Sequence, residues 1–278
     1  MNNQFYSDLV TSQDIRIMGI LNVTPDSFSD GGKYFNRDEA VEHALKMIDE
    51  GADIIDIGGE SSRPGANEVP LEEEINRTIP VVENILKFNC SAIISIDTAK
   101  PQVAELAMQK GAQIINDIRG LADLQMLEVA KRYSSVVVIM HMQGKPKTMQ
   151  KDPKYLNVVD EVFDFISEKV NYAQENGVEQ LIVDPGIGFG KSASDNFILI
   201  KNLKKFAKLH LPILIGVSKK SLIGVSLDLA LEERDIASVI LETASVNLGA
   251  KIIRTHNVKN GYQIKKINSY LRTPGLLL

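Results

Sequence analysis

Eight apolar runs of the chain each end on polar residues that are suited to catalysis or ligand binding. The runs are 16–21, 54–57, 92–96, 113–115, 136–140, 181–183, 213–217 and 251–253. The polar groups that follow them are Asn22, segment 58–63, Asp97, the pair Asn116 and Asp117, His141, Asp184, segment 218–220 and segment 254–256. In a parallel α/β protein the carboxyl ends of the strands converge on one face, where ligands bind. The sequence therefore predicts one site assembled from distant segments.

Two carboxylates, an amide and an ammonium among these groups predict a pocket for a flat heterocycle. Asp97 and Asp184 each follow a short apolar stretch, so we expect both to be half-buried. A buried carboxylate needs a partner if it is to keep its charge. With Asn116 and Lys220 the two carboxylates form a mixed donor and acceptor set, which suits a ring with amino and oxo edges. The alternative is that each carboxylate caps the helix that follows it.

Cationic groups at the last two runs predict an anionic, phosphorylated substrate. Arg254 and His256 end the eighth run, and segment 219–221, which includes Ser221, opens the helix after the seventh. Barrel enzymes often bind phosphate at these two positions, and a helix N-terminus adds free N–H donors. Arg63 lies in the loop after the second run. The alternative is that Arg254 pairs with Asp56 inside the barrel and that His256 is a satisfied turn residue.

Asn22 is a candidate ligand for Mg²⁺ through its amide oxygen. Magnesium commonly takes few protein ligands beside phosphate oxygens and water.

Two sequence patterns that could indicate other functions are rejected. Gly190-Lys191-Ser192 would need a glycine at the position of Pro185 to form a P-loop, and His141 lacks an evident partner for a nucleophilic triad. The glycines of segment 184–190 instead allow the backbone to pass close to a ligand.

The elements that position these residues alternate between strand and helix eight times. Apolar periodicity and capping residues predict helices at 37–50 (with Asn36 as its cap), from Pro70 onward, and at 101–110, 122–132, 155–176, 194–208, 232–249 and 258–271. Eight units in 278 residues favour a single (β/α)₈ barrel of the α/β class, whose usual size is about 250 residues. We therefore predict one domain over residues 1–278.

Composition excludes several classes of protein. The net charge of −5 disfavours nucleic-acid binding. No apolar run approaches the roughly 18 residues of a membrane span, and the N-terminal residues lack the pattern of a signal peptide. Cys90 is the only cysteine, so an intrachain disulfide is excluded. A reducing cytoplasm is the location that this composition favours.

Two predicted connections, 24–35 after the first run and 58–69 after the second, are longer than the others. Connections of this kind usually need about 2–6 residues, and longer ones are often lids or binding loops. Both loops would overhang the same face of a barrel. The alternative is that they are ordinary surface loops, since their Gly, Pro, Asp and Ser residues are typical of turns.

Eight segments, in the same order, resemble the dihydropteroate synthase family over almost the whole chain. The two longest are GILNVTPDSFSDGG at 19–32 and DIGGESSRPG at 56–65. The others are 96–98, 115–117, 141–144, 184–190, 218–221 and the pattern Arg254-x-His256. The resemblance implies a barrel, usually dimeric, that joins 6-hydroxymethyl-7,8-dihydropterin diphosphate to 4-aminobenzoate. It also implies that sulfonamides target the protein.

The resemblance also implies a role for each matching position. Asp97, Asn116, Asp184 and Lys220 are expected to hold the pterin. Asn22, Arg254 and His256 are expected to hold the diphosphate and its Mg²⁺. Arg63 and the two long loops are expected to close over the site, and Ser62 and Ser221 to help place the aminobenzoate and the diphosphate. Asp97, Lys220, Arg254 and His256 are the expected catalytic residues.

Two positions depart from the usual family pattern. Lys219 stands where the family commonly has Arg, and an ammonium cannot stack flat on a ring as a guanidinium can. Ser62 replaces a common Thr, which keeps the hydroxyl and loses a methyl group. The affinity at the edge of the pocket near Lys219 is therefore open.

Two other functions remain as alternatives. The first is a pterin-binding methyltransferase that moves a methyl group from methyltetrahydrofolate to a corrinoid. It has no diphosphate to bind, so Arg63, Lys220, Arg254 and His256 argue against it. The second is a non-catalytic paralogue that supports a partner enzyme, which the filled family positions argue against.

Overall fold

Eight parallel strands form the centre of the molecule in a computed structural model that describes residues 4–24, 37–61, 65–144 and 146–273. The strands are β1 (Arg16–Asn22), β2 (Ile54–Gly58), β3 (Ile93–Asp97), β4 (Ile114–Asp117), β5 (Val136–Met140), β6 (Leu181–Asp184), β7 (Leu214–Ile215) and β8 (Ile252–Thr255). Their order in the sheet is β6-β5-β4-β3-β2-β1-β8-β7. A single parallel bridge between Val183 and Ile213 joins the two ends of this sheet. The predicted (β/α)₈ barrel is confirmed.

Helices cover the outside of the barrel. They are α1 (Gln4–Thr11), α2 (Arg37–Asp49), α3 (Leu71–Phe88), α4 (Pro101–Gln109), α5 (Leu124–Tyr133), α6 (Val158–Glu175), α7 (Ala193–Lys201), α8 (Ser221–Leu227), α9 (Asp235–Asn247) and α10 (Val258–Arg272). Most predicted helices are confirmed within a few residues. The predicted helix 155–176 begins later, because the side chain of Asn157 accepts from the backbone N–H groups of Val159 and Asp160, each at 3.2 Å.

Two predicted helices are divided in the structure. The α-helical part of 194–208 ends at Lys201, and a 3₁₀ helix, Leu203–Leu209, follows it. A short 3₁₀ turn at Leu231–Glu233 precedes α9 and occupies the start of the predicted helix 232–249. The predicted cap Asn36 lies outside the described residues. The helix that segment 219–221 was expected to open is α8, which begins at Ser221. Helix α1 was not predicted.

Helix α1 closes the end of the barrel opposite the carboxyl ends of the strands. Leu9 is fully buried and packs with the apolar side chains that fill the barrel interior, including Met18 and Ile54. The hydroxyl of Tyr6 donates to the carbonyl of Leu181 at 3.0 Å and accepts from its N–H at 3.2 Å. Alternate residues of a parallel strand direct their amides to the same side, and Val183 directs its own to Pro212 at 3.0 Å. Tyr6 therefore occupies a place that a longer β7 would fill.

A second apolar layer lies between the outer face of the strands and the helices. It includes Ile17, Ile55, Val137 and Ile253 from the strands and Met47 from α2, all buried. In the part of the chain that the structure describes, no helix combines the length and apolarity needed to cross a membrane.

Candidate active site

The carboxyl ends of β2, β3, β4 and β8 bring one cation and two carboxylates into direct contact. Arg254 donates from Nε to Asp56 Oδ2 at 2.6 Å and from Nη2 to Asp97 Oδ2 at 2.7 Å. Asn116 donates from Nδ2 to the same Asp56 oxygen at 3.0 Å. The structure thus brings together three predicted site residues, Asp97, Asn116 and Arg254. It also contains the alternative contact between Arg254 and Asp56.

Burial and ion pairing have opposite effects on the pKa values of Asp97 and Arg254. Burial raises the pKa of Asp97 to about 7, although the Arg254 guanidinium opposes this shift. Burial alone would lower the pKa of Arg254, but Asp56 and Asp97 raise it overall. The second oxygen of Asp56, Oδ1, is buried without a hydrogen-bond partner among the described residues. This side of the mouth therefore concentrates negative charge around one guanidinium.

Asp184 and Lys220 face each other across the junction between β6 and β7. Asp184 accepts from the backbone N–H of Gly186 at 2.7 Å, and Lys220 donates to the carbonyl of Ile187. The Lys220 ammonium lies 4.6 Å from the centre of the Phe189 ring. Burial raises the pKa of Asp184, and Lys220 opposes the shift. Burial likewise lowers the pKa of Lys220 to about 8, and Asp184 opposes it.

The alternative that Asp97 and Asp184 serve as helix caps is wrong. Helix α4 has Lys100 at its N-cap, with no side-chain cap hydrogen bond. Helix α7 is capped by Ser192, whose hydroxyl accepts from Asp195 N. Both carboxylates therefore lie at the mouth of the barrel, where Asp97 pairs with Arg254 and Asp184 feels the charge of Lys220.

The end of β8 and the start of α8 form the predicted anion-binding side. His256 is exposed, and its backbone N–H and ring Nδ1 lie 3.2 and 3.1 Å from Ser218 Oγ. Ser221 is the first residue of α8 and is also exposed. Ser218, in the segment between β7 and α8, orients His256, a role that the sequence pattern did not reveal.

Lys219 points to α9 rather than to the ring pocket. Its backbone is left-handed, with φ of 55°, and its Nζ pairs with Asp235 at 3.2 Å. Its backbone N–H donates to Ser238 at 2.9 Å, and its carbonyl accepts from Arg234 at 3.1 Å. The ammonium is therefore engaged by the first turn of α9, and the departure from Arg at this position has a local partner.

Of the three remaining predicted site residues, the structure describes Asn22 alone. Asn22 is half-buried at the end of β1 and is in register with Gly58. Ser62, Arg63 and most of the first long loop lie outside the described residues. Near the base of the second loop, sequence reasoning missed an ionic network. Lys100 contacts both Glu60 and Glu74, and Thr98 donates to Glu74 at 2.5 Å.

Comparisons with known proteins identify the family. The sequence model described as "Pterin binding enzyme" matches residues 18–256. The dihydropteroate synthase of Escherichia coli strain K12 is 47% identical over 262 residues, which cover 92% of this chain and 93% of that protein. Two solved structures from Xanthomonas albilineans are also similar. The dihydropteroate synthase with 4-aminobenzoic acid has a TM-score of 0.88 at 39% identity and 94% coverage of both chains. The dihydropteroate synthase in complex with 7,8-dihydropteroate has a TM-score of 0.84 at 36% identity, with 94% and 95% coverage. This chain belongs to the dihydropteroate synthase family of pterin-binding enzymes.

Proposed function

We propose that the chain condenses 6-hydroxymethyl-7,8-dihydropterin diphosphate with 4-aminobenzoate, which gives 7,8-dihydropteroate and diphosphate. The observation that carries this function is the arrangement of Asp97, Asn116, Asp184 and Lys220 around one barrel mouth that also holds Arg254. Carboxylates accept from the amino and ring N–H groups of a pterin, and the amide and the ammonium donate to its oxo edge. The chain is therefore a transferase of folate biosynthesis.

The diphosphate is proposed to lie against β8 and the start of α8. Arg254 uses Nε and Nη2 within the protein, so among the described residues Nη1 has no hydrogen-bond partner and is left for a phosphate oxygen. His256 and Ser221 are exposed on the same side. Together these groups would bind the leaving diphosphate and stabilise its developing charge.

Mg²⁺ is proposed to bind at Asn22 together with the diphosphate. Among the described residues no cluster of three His, Cys, Asp or Glu side chains could hold a metal. The half-buried amide of Asn22 fits a metal that takes one protein ligand beside phosphate oxygens and water. When bound, Mg²⁺ would neutralise charge on the leaving group.

The chemical step follows from the charges at the mouth. The bond between the pterin methylene carbon and the diphosphate oxygen breaks, and the electron pair leaves with the diphosphate. The methylene carbon becomes cationic, and Asp97 supplies a counter-charge beside it. The amino nitrogen of 4-aminobenzoate then uses its lone pair to form the new C–N bond, and the N–H proton that it no longer needs passes to water. Because an arylamine is already nucleophilic, no strong base is needed, which agrees with an S_N1-like path.

The 4-aminobenzoate is proposed to bind above the pterin, on the side of the two long loops. Ser62 and Ser221 are assigned to its placement and to that of the diphosphate, and Arg63 to closure of the loops. These assignments come from the family resemblance alone, because Ser62 and Arg63 lie outside the described residues.

A direct assay tests the reaction. With both substrates and Mg²⁺, the purified chain should release one diphosphate for each dihydropteroate formed, and omission of 4-aminobenzoate should stop the release. Methyl transfer from methyltetrahydrofolate to a corrinoid, without diphosphate release, would favour the methyltransferase. Pterin binding without turnover would indicate the non-catalytic paralogue.

We also propose a homodimer that forms through α9 and α10. Ile236 and Leu271 are 76% and 75% exposed, and they line one apolar groove together with Ile240 and Ile267. A contiguous apolar patch on a soluble protein commonly marks an interface.

Ile240→Lys should therefore lower the mass found by light scattering from about twice 30.7 kDa to that of a single chain. Ile198→Lys, at an exposed position of α7, is the matched control and should leave the mass unchanged. A dimeric Ile240→Lys would contradict this interface.

A cytoplasmic location is also proposed. Cys90 is exposed and free, which suits a reducing compartment. The substrates are small molecules, and the acidic balance of the chain gives no reason to expect a nucleic-acid partner.

A further inference from the structure

Lys191 is buried in the loop that follows β6, and none of its hydrogen bonds is to a carboxylate. The residue is only 2% exposed to solvent. The ammonium donates to the carbonyls of Gly186 and Phe189, each at 2.9 Å, and lies 2.9 Å from His141 Nδ1. The carbonyl of His141 lies farther away, at 3.3 Å. Lysine is rarely buried to this degree unless it is paired, so these contacts with neutral groups need an explanation.

The number of contacts matches the chemistry of an ammonium. A charged lysine has three N–H donors, and the three contacts at 2.9 Å use all of them. His141 Nδ1 must then accept, which places the ring proton on Nε2. Burial, and next Lys191, lower the pKa of His141 to about 3, so the imidazole is neutral and able to accept. Burial also lowers the pKa of Lys191 to about 7, and Asp184 opposes this shift.

These bonds fold the loop 184–190 tightly onto the loop after β5. The N–H of Phe189 donates to the carbonyl of Gly186 at 3.1 Å, and Lys191 binds both carbonyls of that turn. Gly186 has φ of 69°, and a Cβ atom there would lie 1.9 Å from the carbonyl oxygen of His141. The close approach of the two backbones thus requires glycine at position 186. Lys191 connects the two loops through its contacts with His141 and with the carbonyls of Gly186 and Phe189.

The same turn supports the pair Asp184 and Lys220. Asp184 accepts from Gly186 N at one end of the turn, and Lys220 donates to Ile187 O in its middle. The Phe189 ring lies under the Lys220 ammonium. Burial raises the pKa of Asp184, and the charge of Lys191 is one of the influences that oppose this shift. A shift of this turn would therefore move two proposed pterin ligands at once.

We propose that Lys191 and His141 form a positioning clamp that holds Asp184 and Lys220 in place for the pterin. This inference rests on the proposed function, because it takes the pterin as the ligand of that pair. Neither clamp residue touches the substrate. Their role is to fix the turn Gly186–Phe189, on which the two pterin ligands depend.

Two dissociation constants test the clamp, one for 6-hydroxymethyl-7,8-dihydropterin and one for its diphosphate. Lys191→Met keeps most of the side-chain length and removes all three donors. We expect both constants to rise about tenfold or more, since a displacement of about 1 Å can cost up to 10²-fold. Their ratio should stay as in the wild type, because Arg254 lies in β8 and His256 directly follows it, outside the turn that Lys191 holds. Lys201→Met, at an exposed position of α7, is the control and should change neither constant.

Two results would overturn the clamp. One is a pterin constant for Lys191→Met within twofold of the wild-type value. The other is a loss of the diphosphate ratio as well, which would indicate general damage to the barrel. Binding of both pterins by the wild-type chain is the separate test of the proposed function.

His141 provides a second pair of variants, which decides the matter if Lys191→Met does not unfold cooperatively. His141→Asn retains an oxygen that can accept from the ammonium, whereas His141→Leu does not. We expect His141→Leu to raise the pterin constant about tenfold, by analogy with Lys191→Met, and His141→Asn to stay near the wild type. Equal constants for the two variants would contradict a role for the Nδ1 acceptor.

Discussion

Asp97→Asn should lower kcat by about 10²–10³, the usual cost of one preorganised electrostatic contact. The carboxylate faces charge that develops only when diphosphate leaves, and groups of this kind act on kcat more than on binding. Asparagine has nearly the same size, and its Oδ1 can still accept from Arg254, whose Nη2 lies 2.7 Å from Asp97. The fold and most of the pterin affinity should therefore survive. Steady-state rates at saturating substrates measure the effect, and an unchanged kcat would exclude Asp97 from this role.

The pH profile provides a control for the same residue. Burial raises the pKa of Asp97 to about 7, so the carboxylate is protonated progressively as the pH falls through that value. Protonation removes the negative charge, and kcat/KM, which reports the free enzyme, should fall on the acidic side of pH 7. Asp97→Asn should lack this limb. A limb of the same position in the variant would assign it to another group.

Arg254→Ala should weaken binding of the pterin diphosphate far more than binding of the same pterin without diphosphate. The guanidinium offers a planar set of donors that matches phosphate oxygens. A hydrogen bond to a charged group contributes roughly 1.5–3 kcal/mol, which corresponds to about a 10–150-fold change in affinity. The measurement is a pair of dissociation constants for the wild type and the variant. An equal loss for both pterins would mean that Arg254 supports the barrel instead.

The contacts of Arg254 make a second variant necessary. Alanine leaves Asp56 and Asp97 without the cation that now joins them, and breaking a buried pair in this way costs about 3–5 kcal/mol. Arg254→Lys keeps the charge between the carboxylates but loses the fork of donors. We expect it to stay close to wild-type stability and still to lose most of the preference for the diphosphate. A full preference in Arg254→Lys would show that charge alone is sufficient.

The strand ends were predictable from the sequence, since apolar runs followed by Asp97, Asn116 and Asp184 have a simple physical cause. Parallel strands are buried on both faces, so they read as continuous apolar runs, and polar groups begin where the barrel opens. The helices were predictable for a similar reason, because one apolar stripe must face the strands. The order of the eight units then indicated closure of the barrel.

Only part of the pairing could be predicted. The contact of Arg254 with Asp56 was one of two alternatives, but the second contact, with Asp97, was not expected. Whether one guanidinium reaches both carboxylates depends on the registers of β1, β2, β3 and β8. Lys219 turns towards Asp235 because its backbone is left-handed, and the residue type lysine does not indicate that conformation. Lys191 is buried among backbone carbonyl groups, which every residue has, so the sequence does not show where they converge. Both features depend on tertiary packing and could be found only in the folded structure.

The single bridge between Val183 and Ile213 links ligand binding to the stability of the closed barrel. Everywhere else around the barrel adjacent strands are joined by runs of paired residues, but β6 and β7 meet at one place, with Tyr6 substituting below it. Asp184 leaves one side of this seam and Lys220 the other. A pterin bound by both residues would connect the two sides of the junction between β6 and β7, which has the fewest paired residues in the barrel. Part of the binding free energy would then stabilise the closed barrel against opening at this junction.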